Sequence, residues 1–417
     1  MKIYKFGGAS VKDADGVRNV TEIIKSQRSD HCLLVVSAMG KMTNAFEEVV
    51  HAYCFNTSKL TSAMDKIVKY HQTIIDELFT EEHIIFKKFD GLLQDLWVFL
   101  NHNKEEKMYD FSYDQIVCYG ELLSTTILHY YLNLQGINTV WNDVRTLVKT
   151  DSSFRDAKVN WEQTEVAISK KINSERLNIV QGFLGGDTKG NTTTLGREGS
   201  DYTAGIFAYC LNANQVTIWK DVRGVLNGDP KVFSKTQLLE QISYEETIEM
   251  AFYGASVVHP KTIQPLQSKN IPLFVRSFLD PRLTGTEVHR GVSIQPKIPC
   301  FIVKKNQILV SISTRDFSFM VEDNISHVFQ LLHQYLLAVN LIQNSAISFS
   351  VCIDNKFNQF EAFYEELKSS YKVEVTKGVD LYTIRHFDRA AVTNIRSLGT
   401  SILTQVNKET MQIVIKI

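Results

Sequence analysis

No apolar stretch in the sequence approaches the roughly 18 residues of a membrane span. The first residues, MKIYKFGGAS, reach two glycines before a secretory signal core could form, so a cytoplasmic chain is expected. There is no excess of one charge: 45 Lys and Arg against 46 Asp and Glu leave a net −1. That balance, with no basic run longer than a pair such as Lys87-Lys88, argues against a nucleic-acid-binding role. The six cysteines form no C-x-x-C pair and the eleven histidines no H-E-x-x-H, so neither a disulfide frame nor a zinc site is expected. His259 before Pro260 reads as a structural residue in a turn. No Walker A loop, dinucleotide fingerprint or low-complexity linker occurs.

What is present is alternation. Short continuous apolar runs stand at Ile3 to Phe6, Cys32 to Ser37, Thr139 to Trp141, Asn178 to Leu184, Gln215 to Trp219 and Pro272 to Val275. Between them lie segments with helical spacing, residues 59–101 above all, where Ile67, Tyr70, Ile74, Ile75 and Leu78 recur at three and four. Apolar strands joined by helices predict a mostly parallel sheet covered on both faces, with ligands at the strand C-terminal ends. The loops after Phe6, Ser37 and Leu184 are therefore the places to look for chemistry. Gln295-Pro296-Lys297-Ile298-Pro299 reads as a boundary. Beyond it a strand-helix-strand-strand rhythm occurs once fully and once in shortened form, predicting a smaller α+β region.

Lys5-Phe6-Gly7-Gly8-Ala9-Ser10 follows a strand and precedes a helix-like 13–28. Its glycines would let backbone N–H groups approach an anion, and Lys5 would add a point charge. Further segments are Ser37 to Asn44, Tyr119 to Ser124, and Thr193 to Tyr202, which contains Gly196-Arg197-Glu198-Gly199-Ser200-Asp201. Trp219 to Val222, Gly228-Asp229-Pro230 and Gly254 to Pro260 complete the set. In this order and at these separations they closely resemble the aspartate kinases of the amino acid kinase superfamily, over about the first 295 residues. The tail resembles that family's ACT-type regulatory region.

The resemblance implies a three-layer αβα amino-acid-kinase fold over residues 1–295 and a ferredoxin-like, ACT-like region over 298–417 with a truncated second unit. It implies ATP-dependent phosphorylation of the side-chain carboxylate of L-aspartate, with ATP and Mg²⁺ held mainly through the phosphates. It assigns Lys5 and Asp201 to catalysis, the aspartate orienting the lysine. Ser37, Thr43, Glu121, Arg197 and Ser200 fall to the substrate, Glu121 for its ammonium and Arg197 for a carboxylate. Lys5, Gly7, Gly8, Ser10, Lys220, Asp221 and Lys231 fall to the nucleotide. No protein ligand to a metal is assigned, and a homodimer through the ACT-like region is expected, with no nucleic acid or membrane partner. Read as residues alone, Arg197 and Glu121 could instead form a structural pair, and Ser200 could cap a helix over Tyr202 to Leu211. Another amino acid kinase, acting on glutamate or N-acetylglutamate, and a sensor with a decayed kinase site remain open.

Departures from the family pattern are Ala9, Glu198 and Ser256. In the tail, Ala338-Val339-Asn340-Leu341-Ile342 and Ser345-Ala346 lack two carboxylates present in lysine-inhibited members, so weak or absent inhibition by lysine is expected.

Overall fold

The structure, a computed structural model, describes residues 1–27, 31–102, 108–255, 258–316 and 318–417. Ser256 lies outside the described residues. Two compact units emerge: Met1–Val225 with Leu238–Ile248 and Val258–Ile294, and a smaller one of Leu226–Gln237, Glu249–Val257 and Gln295–Ile417.

In chain order the first elements are β1 (Lys2–Phe6), α1 (Ala14–Ser26), β2 (Cys32–Val36), α2 (Met42–Phe55), α3 (Leu60–Leu78), α4 (Ile85–His102) and α5 (Tyr109–Leu134). Next come β3 (Thr139–Asn142), α6 (Trp161–Lys171), β4 (Leu177–Gln181), the short pair β5 (Leu184–Gly186) and β6 (Thr192–Thr194), α7 (Gly199–Cys210) and β7 (Gln215–Lys220). β8 (Gln241–Ser243), α8 (Tyr244–Tyr253), α9 (Pro260–Ser268), β9 (Leu273–Ser277) and β10 (Thr286–His289) follow.

The main sheet has the order β3-β4-β2-β1-β7-β9-β10-β8 and is parallel except where β10 meets β9. All five side chains of β2 are buried, each contributing about 1.5–3 kcal/mol where it is a full aliphatic group. That two-sided burial is why the run reads as continuous rather than alternating. Successive side chains of a strand point to opposite faces. Tyr4 and Phe6 of β1 and Leu34 and Val36 of β2 join a core with Val17, Phe46, Ile67, Leu96 and Leu123 from α1 to α5. Ile3 and Lys5 point the other way, to the face on which α7 packs against β1, β2 and β7, with α9 behind it. The unit is thus the expected α/β fold with helices on both faces. Phe6 pairs in register with Val36 and Trp219, and Val36 with Gln181. The loops after β1, β2, β4 and β7 therefore leave the sheet at one level.

The helical stretch 59–101 is not continuous. α3 ends at Leu78, Phe79 is extended (φ −134, ψ 153) and α4 starts at Ile85. The turn lets Phe79 and Ile85 both reach the core, and the Ile85 N–H donates to His83 Nδ1. The run Asn178 to Leu184 likewise divides into β4 and β5.

The smaller unit contains β11 (Cys300–Ser313), α10 (Glu322–Gln334), β12 (Ala338–Asn344), β13 (Ser348–Asp354), α11 (Phe360–Ser370) and β14 (Lys372–Arg385). It closes with α12 (Arg389–Arg396), β15 (Thr400–Val406) and β16 (Thr410–Lys416). Its antiparallel sheet has the order β12-β13-β11-β14-β16-β15. β11 and β14 are each 14 residues long and pair along nearly their whole length, with a register shift around Lys304–Ile308. Val351 and Ile353 pack under α10 and α11, while Ile413 and Ile415 pack under α12. The intervening Cys352 and Val414 face the opposite way into a third cluster with Leu309, Leu341 and Leu381. Two ACT-like repeats therefore share the long strands. Cys300–Lys304, which the sequence reading did not assign to a strand, pairs with Leu381–Arg385 and completes the second repeat's sheet. Phe233 packs on that repeat's core against Phe301, ring centroids 5.4 Å apart.

Candidate active site

A cavity of about 420 Å³ opens at the strand C-terminal level of the larger unit. Its wall brings together seven of the residues expected from the sequence: Lys5, Ser37, Thr43, Glu121, Arg197, Ser200 and Asp201. At its base the Lys5 ammonium lies 2.7 Å from Asp201 Oδ1, with only 12% and 5% of the two side chains exposed. Burial alone would raise the Asp201 pKa, but the charges of Lys5 and Lys220 outweigh it and hold the carboxyl below the usual range. Lys5 is thus held in place against a buried carboxylate.

The loops above it approach closely. A Cβ on Gly8 would lie 2.6 Å from the Gly40 carbonyl oxygen and 2.7 Å from that of Ala38, and the Gly40 N–H donates to Gly8 O at 2.9 Å. Glycine at position 8 thus lets the loops after β1 and β2 touch. Gly182 plays the same part beneath α7, where an added Cβ would sit 2.5 Å from Ser200 Cβ.

Glu121, midway along α5, is 2% exposed. One carboxylate oxygen accepts from the Ala38 N–H at 3.3 Å, and the other has no partner among the described residues. Burial pushes its pKa up to about 8, opposed by that backbone donor. A buried carboxylate with an open oxygen is a receptor for a cationic group. Arg197 is exposed, and among the described residues it forms no ion pair, so the structural Arg197–Glu121 pair does not occur.

Ser200 does not cap its helix. α7 begins at Gly199, with Glu198 as the residue before it at φ +53, so Ser200 and Asp201 fall in the first turn. The helix start borders the cavity through Gly199, Ser200 and Asp201, with the Gly199 N–H donating to Gly196 O at 3.1 Å and the Asp201 N–H to Glu198 O at 3.0 Å. The Glu198 carboxylate neither pairs with Arg197 nor hangs free, because it accepts the His259 N–H at 3.0 Å. His259 is structural, as expected: it precedes α9 and its Nδ1 accepts the Lys261 N–H.

The residues expected at the nucleotide are less gathered. A Cβ on Gly7 would lie 3.3 Å from Lys5 Nζ, so its backbone borders the ammonium. Ser10 is fully buried and its hydroxyl donates to Gly7 O at 2.6 Å, bracing the turn rather than facing the cavity. Ala9 is exposed in the same turn. Lys220, at the end of β7, is half-buried, and Asp221 is exposed just beyond it. Lys231 is exposed in the smaller unit.

Three lining residues escaped the sequence reading: Tyr113, Arg155 and Phe183. Arg155 and Phe183 both have left-handed backbones, φ 69 and 72, which no periodicity signals.

The larger unit is an α/β domain with a strand-end cavity and a buried lysine–aspartate pair, and the sequence model of the Amino acid kinase family matches residues 1–277. The chain is 30% identical over 393 residues to lysine-sensitive aspartokinase 3 of Escherichia coli (strain K12), covering 92% of this chain and 86% of that protein. It spans 42% of the length of the plant bifunctional aspartokinase/homoserine dehydrogenases that it also matches. Crystal structures of E. coli aspartokinase III superpose over the whole chain and 96% of theirs at 27% identity. The TM-score is 0.84 for the complex with lysine and aspartate and 0.81 for that with aspartate and ADP. The chain belongs to the aspartokinases of the amino acid kinase family.

Proposed function

We propose that the protein transfers the γ-phosphoryl group of ATP to the side-chain carboxylate of L-aspartate, giving 4-phospho-L-aspartate and ADP. The carrying observation is the cavity that combines the Lys5–Asp201 pair, the guanidinium of Arg197, unpaired among the described residues, and the buried, half-partnered carboxylate of Glu121.

A carboxylate with an ordinary pKa near 3.9 is ionised at neutral pH and needs no general base. What it needs is positioning and charge neutralisation beside a polyphosphate. Lys5 and the α7 N-terminus meet the phosphates. Glu121 receives the ammonium, and Arg197 offers a planar fork to a carboxylate. Ser37 and Thr43 add polar contacts. The new O–P bond forms as the bond to ADP breaks, and Lys5 is already in place for the charge that develops. Glu198 and Asp201 already have hydrogen-bond or ion-pair partners, so the donor set suits Mg²⁺ carried in on the phosphates. Gly7, Gly8, Lys220 and Asp221 are proposed for the nucleotide, with Ser10 acting through Gly7. The catalytic part is assigned to 1–295 and the ACT-like part to 298–417. The latter serves a homodimer in this reading, since the edge strands β12 and β15 each leave one ladder side open.

The test is a hydroxamate trap for acyl phosphate, with ATP, Mg²⁺ and L-aspartate, L-glutamate or N-acetyl-L-glutamate. Product from aspartate is expected. Product only from another acid, or from none, would overturn the reading.

Lysine is expected to inhibit weakly or not at all. Asn340 stands where lysine-inhibited relatives have a carboxylate, and both ends of its amide are engaged. Its Oδ1 accepts from Lys304 Nζ at 2.6 Å and its Nδ2 donates to Gln307 Oε1 at 2.7 Å. Half-maximal inhibition at sub-millimolar lysine in a coupled assay would contradict this.

A further inference from the structure

Charges on the cavity wall do not balance a doubly acidic amino acid with the residues assigned so far. The wall carries Lys5, Arg155 and Arg197 against Glu121, Glu198 and Asp201. Lys5 is held by Asp201, and Glu198 by the His259 N–H. Once Glu121 has taken an ammonium and Arg197 one carboxylate, a second carboxylate has Arg155 as the remaining cation.

Arg155 is built into this place. Its backbone adopts φ 69, a left-handed conformation costly for an arginine. Its N–H donates to both oxygens of Asp114, at 3.1 and 3.2 Å. Asp114 is itself fully buried and accepts from the Thr194 N–H and hydroxyl at 2.8 and 2.7 Å. The guanidinium lies over the Tyr113 ring, 4.5 Å from its centroid, and 5.4 Å from that of Tyr109. Its carboxylate contacts are loose: 3.3 Å to Asp110 and 3.7 Å to Glu47, between side chains 42–63% exposed. Pairs of that kind contribute little and yield readily to a competing carboxylate. The backbone is pinned, the plane is set by an aromatic face, and the charge is available.

We propose that Arg155 is a second carboxylate-binding residue of this cavity and makes it selective for a doubly acidic amino acid over its side-chain amide. The inference rests on the functional reading above in taking the ligand to be an acidic amino acid.

The experiment compares wild-type protein with Arg155→Met, Arg155→Lys and Arg155→Gly. It uses steady-state kinetics with L-aspartate, and calorimetric Kd values for L-aspartate and L-asparagine in the presence of a non-hydrolysable ATP analogue. Arg155→Met should raise the aspartate KM and Kd by about 10- to 100-fold, the size of one charge-assisted hydrogen bond. The preference for aspartate over asparagine should shrink. Arg155→Lys should recover part of the loss. Arg155→Gly should bind as weakly as the methionine variant yet melt no lower than wild type, because glycine relaxes the left-handed backbone. A purely structural role would weaken both ligands equally and lower the melting temperature. Unchanged aspartate affinity in Arg155→Met, or equal weakening of both ligands, overturns the proposal. Wild-type protein that binds aspartate without turnover would defeat the functional reading alone, since the Kd comparison still decides on Arg155. Wild-type protein that does not bind aspartate defeats both.

Discussion

Replacing Lys5 by methionine is expected to lower kcat by about 10²–10³-fold, the usual loss when one preorganised charge is removed from a transition state. The same substitution should destabilise the protein. Asp201 is 5% exposed on its side chain and Lys5 is its charged partner at 2.7 Å. Breaking a buried pair from one side costs about 3–5 kcal/mol, because the other charge stays uncompensated. Unfolding and turnover must therefore be measured on the same preparation. The double variant Lys5→Met with Asp201→Asn separates the two effects: it should regain much of the lost melting temperature and none of the lost kcat. Near-normal turnover in Lys5→Met would sink the assigned chemistry, and recovery of turnover in the double variant would do the same.

Glu121→Gln should act in opposite directions on ligand binding and on folding. Without its charge the cavity loses the partner for an ammonium, and the aspartate KM should rise by about 10- to 100-fold. The unliganded protein, however, should become more stable. The folded-state pKa of Glu121 is about 8, above the ordinary value of 4.5. The folded protein thus holds this proton more tightly than the unfolded chain. Its stabilising contribution is complete below pH 4.5 and is lost as pH rises through 8. Glutamine carries no such penalty. The difference in melting temperature between variant and wild type should be small at acid pH, widen through neutrality and level off above pH 8. In wild type, aspartate affinity should strengthen over the same interval as the carboxylate ionises. A melting difference independent of pH would show that Glu121 is not the buried titrating group described here.

The central strands were legible because both of their faces are covered. β2 carries no polar side chain to interrupt the apolar run, and its loop emerges where a parallel sheet exposes its ligand-binding edge. The gathering of Lys5, Glu121 and Asp201 was legible only through the family pattern, since nothing in local spacing brings α5 and α7 to the end of β1. Arg155 was invisible for a related reason. Asp151–Asp156 has no periodicity, and a left-handed arginine differs from any loop arginine only once Asp114 and Tyr113 are placed around it. The place of the Ser10 hydroxyl was not legible, because its partner is the Gly7 carbonyl inside its own turn. In the tail, Lys304-Lys305-Asn306 interrupts the apolar alternation, so one 14-residue strand reads as a boundary followed by a shorter strand. Asn306 at φ 54 and Gly378 at φ 64 mark the kinks where the two long strands bend together.

Those two long strands also limit how this protein can change over evolutionary time. Neither ACT-like repeat owns its sheet, since each borrows half of β11 and half of β14. Exchanging one repeat for another by recombination at the junction would sever the hydrogen-bonded ladder of both. A swap that preserved both ladders would have to carry the two repeats together.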